Sequence, residues 1–309
     1  MSQNNHSQEH DHQDCNHNHG HHHPVTSDLR IAFVLNLCFT IIEFVGGVMT
    51  NSMAILSDAI HDLGDTFAIG SSLFLEKYSE KGRSKSFSFG YKRFSPLSAL
   101  INSIILLAGS VVIIIESLPR LLNPEAVNAT GMIYLALLGV LLNGAAFVRL
   151  KRNSSSVNQR SVMLHLLEDA LGWVAVLLGS VLMLIFDLPI IDPILSLLVA
   201  IFILWNAYKN LKQVMHIFLQ GTPTNVNLNQ VKNELNKVGG VEGIHDIHVW
   251  TMDGQYNILT VHLIVRDNKY LSELAELRQE VNVLLKKHHI DHITIQFEVP
   301  GEVCELEQH

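Results

Sequence analysis

The chain has 309 residues, of which 48% are apolar and only 16% charged, and its formal net charge is −8. Soluble domains carry roughly 25% charged residues, so this deficit argues against an ordinary cytosolic enzyme, and the negative balance argues against a nucleic-acid partner held by a basic field. Cys15, Cys38 and Cys304 are odd in number and irregular in spacing, which removes a disulfide framework; the 18 histidines require a chemical account.

Residues 1–26 contain three acids, no Lys or Arg, and eight histidines: His6, His10, His12, His17, His19, His21, His22 and His23. Such a segment cannot bury a core and reads as a disordered tail. Its histidines are dispersed among Asn, Gln, Asp and Cys15, unlike a purification tag. We expect a metal-gathering arm, densest at His17, His19, His21, His22 and His23, that raises the metal concentration near the membrane.

Residues 27–220 hold 14 basic and 13 acidic side chains spread thinly between apolar runs. Crossing a hydrocarbon core of about 30 Å takes about 20 helical residues. Six stretches meet that length, near 30–49, 53–75, 95–118, 130–149, 162–186 and 190–211. The first follows an acidic tail with only Arg30 beside it and has no small-residue cleavage pattern, so it reads as a retained helix and not a signal peptide. Lys77, Lys81, Arg83, Lys85, Lys92 and Arg93 lie between the second and third stretches, and Arg149, Lys151, Arg152 and Arg160 between the fourth and fifth. The positive-inside rule makes both loops cytoplasmic. The expected protein is therefore multi-pass in the inner or plasma membrane, with both termini in the cytoplasm.

From 221 to 309 the pattern is that of a small soluble domain. Val226 to Val238 reads as an amphipathic helix ended by Gly239-Gly240. Ile244 to Thr251 and Tyr256 to Val265 alternate as strands, and Met252-Asp253-Gly254-Gln255 between them carries an Asp-Gly hairpin signal. Leu271 to Lys287 returns to helical spacing and Ile293 to Val299 alternates again. The order αββαβ predicts an open α/β sheet with helices on one face, of the ferredoxin-like or metallochaperone-like kind, appended to an α-helical membrane protein with six transmembrane helices.

Ionisable residues inside a membrane cost at least about 2.5 kcal/mol each on insertion scales, so they are functional candidates by default. The second stretch contains Asp58, His61, Asp62 and Asp65; the fifth contains His165, Glu168 and Asp169. In each, a His precedes an Asp by four residues, so imidazole and carboxylate share a helix face. Two nitrogens and two carboxylate oxygens suit a tetrahedral Zn²⁺ site, with the two negative charges balancing the dication. A hydrogen-bonding role would not require the duplication. Asp58, Asp62 and Glu168 read as supporting or water-contacting groups. Counted from their helix ends, the two pairs reach the same depth only when the fifth helix is tilted or starts earlier than its apolar run, and the polar residues 158–161 permit the earlier start.

The run from Thr50 to His61 (Thr-Asn-Ser-Met-Ala-Ile-Leu-Ser-Asp-Ala-Ile-His) with Asp65, the later His165/Asp169 pair, six helices and an αββαβ tail together resemble a cation diffusion facilitator over about residues 28–300. The resemblance implies export of a divalent metal from the cytoplasm by proton antiport, by a homodimer in membrane lipid, through a transport site of His61, Asp65, His165 and Asp169. His at both first positions is the family's zinc pattern; Cd²⁺, Co²⁺ and Ni²⁺ are further candidates, because ligand affinities overlap. Ser88-Phe89-Gly90-Tyr91 has Tyr where some members have a metal-binding His, so that loop site is expected to be missing. In the soluble domain, His245, His262 and Glu298 match the family's zinc positions, with Cys304 a further ligand and Gln296 standing where another ligand occurs. Zn²⁺ is then both substrate and regulatory ligand. His216 and His288 to His292 read as surface residues.

The chain is expected not to be an enzyme: an intramembrane zinc protease needs a water-activating Glu as in His-Glu-x-x-His, and that sequence is absent. The other rival is a membrane-anchored metal sensor or buffer without transport, which would not require His/Asp pairs inside the bilayer.

Overall fold

The computed structural model describes residues 25–79, 82–153, 157–266, 270–302 and 304. The histidines of the N-terminal tail, His17 to His23 among them, lie outside the described residues.

Six long helices come first: α1 (Val25–Thr50), α2 (Met53–Ser79), α3 (Phe94–Leu122), α4 (Ala129–Asn153), α5 (Val157–Phe186) and α6 (Ile191–Phe218). Five of them, all but α2, are long and apolar enough to cross a membrane. At 27 residues α2 is equally long, but Asp58, Asp62 and Asp65 lower its apolar character. It packs against α1, α3 and α6, so its acidic residues are screened by neighbouring helices. Helix α5 begins at Val157, five residues ahead of its apolar run, which supplies the earlier start that the depth of His165 calls for.

Small residues bring α3 and α6 together. Ser103, Ser110 and Ser117 recur every two turns on α3 and are all buried, facing Ser196, Ala200 and Ala207 of α6. Short side chains let helix backbones approach where no hydrophobic effect drives them together. Ser117 and Ser196 share a hydroxyl hydrogen bond of 2.6 Å, and Asn210 Nδ2 donates to Ser103 Oγ at 2.9 Å. Toward the N-terminal end of α2, Ile55 of α2, Met132 and Ala136 of α4, and Trp173 and Val176 of α5 belong to one buried apolar cluster. Gly139 makes room for it, since a Cβ there would run into the Trp173 indole.

The start of α2 is held from a distance. Asp192, fully buried in the first turn of α6, accepts from Met53 N at 2.8 Å, Ala54 N at 3.3 Å and Ser52 Oγ at 2.5 Å. These backbone donors have no partner within their own helix, and a carboxylate at the positive end of the α2 dipole satisfies them.

The C-terminal part contains α7 (Leu228–Leu235), β1 (Val241–Thr251), β2 (Asn257–Val265), α8 (Leu271–Lys287) and β3 (His292–Glu298). The sheet order is β1-β2-β3, with β1 antiparallel and β3 parallel to β2. Helix α7 is shorter than its apolar periodicity predicts; its start is set by the Asn227 side chain, which caps it by accepting from Gln230 N at 3.1 Å. The hairpin turn forms as its Asp-Gly signal predicts, with Gly254 at φ 91° and Asp253 Oδ1 accepting from Gln255 N and Tyr256 N. Leu259, Val261, Leu263 and Val265 of β2 point into a core with Val231 and Leu235 of α7 and Leu277, Val281 and Leu285 of α8. His262, between them in sequence, therefore faces away from the helices.

The loop between α2 and α3 docks on this domain: Lys92 Nζ lies 3.8 Å from Asp253 Oδ2 and 4.2 Å over the Tyr256 ring, and Phe89 meets His292 edge-on at 5.4 Å. His292 is thus packed, and so is His288, whose side chain is 13% exposed and meets Glu234 Oε2 at 2.9 Å. Both correct the expectation of surface histidines; α7 and the loop at Phe89 cover them, which strand and helix periodicity does not reveal.

Candidate metal centres

Helices α2 and α5 run antiparallel, so the first residue of each pair meets the second residue of the other. Asp65 and His165 form the layer nearer the C-terminal end of α2, with Oδ2 to Nε2 at 3.0 Å. His61 and Asp169 form the other layer, with Nε2 to Oδ1 at 3.8 Å. Within each helix the pairs stand 3.7 Å apart, His61 to Asp65 and His165 to Asp169. A tetrahedral site with metal–ligand distances of 2.0–2.2 Å has edges of about 3.3–3.6 Å, and these four separations bracket that range. One ligand atom each from His61, Asp65 and His165 lies within 4.8 Å of the others; Asp169 stands beside that group, meeting His61 through Oδ1 and His165 through Oδ2. All four residues singled out by the spacing are thus brought together.

The layers differ in access. Side-chain exposure is 26% at Asp65 and 41% at His165, against 24% at His61 and 13% at Asp169. The Asp65/His165 layer is the more exposed of the two, chiefly through His165, while Asp169 is the most enclosed of the four.

Further acids lie near the cluster on α1, α2 and α5. Asp62 is buried, Asp58 partly so, and Glu168 is exposed. Glu43 of α1, 1% exposed, has neither carboxylate oxygen hydrogen-bonded among the described residues and lies against Asp62. Motif spacing passed over Glu43, although an acid within an apolar span is itself a signal.

A second cluster lies on the outer face of the C-terminal sheet. His245 and His262 are register partners on β1 and β2, their rings 5.2 Å apart, and β3 brings Glu298 beside them. His262 Nδ1 is 2.7 Å from Glu298 Oε1 and 3.5 Å from Cys304 Sγ. His245 Nε2 stands 2.9 Å from Glu298 Oε2 but off any hydrogen-bond line, so the nitrogen is buried and unpartnered. Metal-ligating atoms crowded about one point, with one buried imidazole nitrogen left unpartnered, fit joint ligands of a metal. His245, His262, Glu298 and Cys304 are all placed within 4.8 Å of one another. Gln296 contributes indirectly, donating to Glu298 Oε1 at 3.0 Å.

Asp246 was missed by strand alternation. At φ 46° it occupies the left-handed region where the β1 register breaks between His245 and His248, and its carboxylate meets His248 Nε2 at 2.8 Å and His262 Nε2 at 3.4 Å. A carboxylate on the far nitrogen holds the His262 ring with Nδ1 toward Glu298 and Cys304. The adjacency His245-Asp246-Ile247-His248 was the available sequence signal.

Two imidazole–carboxylate pairs meeting inside an apolar helical domain, joined to a soluble domain with a second cluster of metal-ligating side chains, define a multi-pass membrane protein of the metal-handling class. The family description "Cation efflux transmembrane domain" matches residues 29–219, and "Cation efflux protein, cytoplasmic domain" matches 223–299. The chain belongs to the cation diffusion facilitator family. It is 34% identical to the cadmium, cobalt and zinc/H⁺-K⁺ antiporter of Bacillus velezensis, covering 87% of each chain. It is 34% identical to the metal cation efflux system protein CzcD of Cupriavidus metallidurans over 91% of this chain and 89% of that one, and 31% identical to zinc transporter ZitB of Escherichia coli over 91% and 90%.

Proposed function

We infer that the protein exports divalent metal, Zn²⁺ foremost, from the cytoplasm in exchange for protons. The observation that carries this reading is the crossed meeting of His61, Asp65, His165 and Asp169 at tetrahedral separations within the membrane domain. The names of the relatives support zinc, and cadmium and cobalt beside it. All six helices then cross the bilayer, α2 included, because its acids face protein and not lipid. Both termini are cytoplasmic, on the side of the loop that docks on the C-terminal domain.

The coupling follows from ligand chemistry. Zn²⁺ binds deprotonated carboxylate and neutral imidazole, so metal and protons compete for the same atoms and the departure of one favours the arrival of the other. The Asp65/His165 layer is the more exposed, as in an inward-facing state. Rocking α2 and α5 against their neighbours, so that the His61/Asp169 layer opens instead, would expose the same ligands outward.

The cytoplasmic cluster of His245, His262, Glu298 and Cys304 holds Zn²⁺ as a regulatory ligand in this reading, and the domain pairs two chains into a homodimer. That cluster also favours the second reading, a membrane-anchored metal sensor. Zinc flux separates them: purified protein in vesicles with an imposed proton gradient takes up Zn²⁺ if it is an antiporter and only binds it if it is a sensor. Because the Bacillus relative's name adds K⁺, the same vesicles with a K⁺ gradient at clamped pH decide which counter-ion drives exchange.

A further inference from the structure

The cytoplasmic end of α6 carries a feature that metal transport does not use. A cavity of about 700 Å³ lies where α6 meets the C-terminal domain, lined by Lys209, Lys212, His216, Met215 and Leu219 and floored by Gly254 and Thr251 of the sheet domain. No Asp or Glu lines it, and among the described residues neither lysine has a carboxylate partner. Lys209 Nζ instead sits 5.1 Å over the ring of Trp205. Trp205 and Tyr208 are both more than half exposed, and Leu219 is 75% exposed at the cavity mouth.

Depth explains this combination. Helix α6 starts at Ile191, and about 20 residues at 1.5 Å each exhaust the 30 Å hydrocarbon core near residue 211. Trp205 and Tyr208 then lie at the interfacial level where aromatic rings concentrate, Lys212 lies just past the boundary, and the long side chain of Lys209 can extend its ammonium to the same headgroup level. Two unpaired ammonium groups one turn apart, open on one side to exposed apolar residues of α6 and closed on the other by a soluble domain, fit a molecule with an anionic head and an aliphatic tail.

We propose that this cavity is a binding site for an anionic phospholipid of the cytoplasmic leaflet, its phosphate between Lys209 and Lys212 and its acyl chains along the Trp205/Tyr208 face of α6. The site rests on the orientation that places the C-terminal domain in the cytoplasm but not on the metal ligands. A lipid seated there touches both the last membrane helix and the hairpin turn at Gly254, and so bears on how the two domains are set against each other.

Native mass spectrometry of the purified full-length protein, exchanged into an equimolar mixture of phosphatidylglycerol and phosphatidylcholine, tests this directly. The unaltered protein is expected to retain phosphatidylglycerol preferentially. Each surface lysine contributes about 5-fold to anionic-lipid affinity, so Lys209→Gln/Lys212→Gln should lose about 30-fold in that preference, while Lys209→Arg/Lys212→Arg keeps it. Equal retention of both lipids by the unaltered protein would overturn the proposal. So would a Gln variant that keeps its preference, or one that changes only the monomer–dimer ratio, which would make this face a contact between two copies of the chain. Retained zinc binding by the Gln variant shows that it is folded, and the charge-preserving Arg variant serves as a second control.

Discussion

His165 reaches from α5 to Asp65 on α2, Nε2 to Oδ2 at 3.0 Å, and this is the shortest of the four contacts that knit the intramembrane cluster. The residues are 100 positions apart, and each has its own helical partner one turn away. The cluster therefore depends on both helices at once.

Removing either carboxylate should leave three ligands and one uncompensated charge. Loss of a supporting group around a metal costs about 10- to 100-fold, so loss of a ligand in Asp65→Ala or Asp169→Ala should lower vesicle Zn²⁺ uptake by at least about 100-fold. A rate within twofold of the unaltered protein would remove that residue from the transport site. Glu168→Ala, altering an exposed neighbour, should leave uptake close to its starting value.

The cluster on the C-terminal sheet makes a separable prediction. Zinc bound per chain, measured after dialysis, should fall by about one ion in His262→Ala or Glu298→Ala, with the transport ligands intact. Asp246→Asn should weaken that ion's affinity by about 10- to 100-fold, because the His262 ring loses its orienting carboxylate. Undiminished stoichiometry in Glu298→Ala would show that the sheet face does not hold metal.

Asp192 offers a test of the fold. In Asp192→Ala, the amides of Met53 and Ala54 lose their acceptor inside a buried helix end. A buried unsatisfied group costs about 1–3 kcal/mol, so the melting temperature in detergent should drop by several degrees. Asp192→Asn, which keeps one acceptor oxygen, should drop less; equal melting of all three proteins would contradict the capping role.

The Glu234–His288 pair predicts a pH effect on the C-terminal domain. The His288 hydrogen bond, with help from Gln230, holds the Glu234 carboxyl below its usual range. A carboxyl lowered on folding stabilises fully above its unfolded value of about 4.3 and loses that contribution as pH falls through the folded value. Removing the partner in His288→Ala should therefore reduce the acid sensitivity of hydrogen exchange in α7 as pH falls below about 4.3. An unchanged acid response would assign the pair no role.

Much of this was legible along the chain because it is local. Six apolar stretches, the Asp-Gly hairpin and the two four-residue His/Asp spacings each reflect a periodicity of 3.6 or 2 residues, which assigns side chains to faces. The early start of α5 was legible from the polar residues 158–161. Periodicity is silent about which faces meet, and so it passed over Glu43, whose carboxyl matters because Asp62 lies across from it on another helix. It passed over Asp246 for a different reason: alternation assumes an unbroken strand, and a positive φ at a register break turns that side chain toward His262.

The sequence by itself determined the ligand types, their pairing within each helix and the division into a membrane part and an αββαβ part, since these depend on composition and on spacing within one element. Only the tertiary structure decided that Asp65 meets His165 and His61 meets Asp169, that the first of these layers is the more exposed, and that Asp192 closes the start of a helix 140 residues away. Those are contacts between distant elements, set by Ser-lined helix packing and buried carboxylates, and no local pattern encodes them.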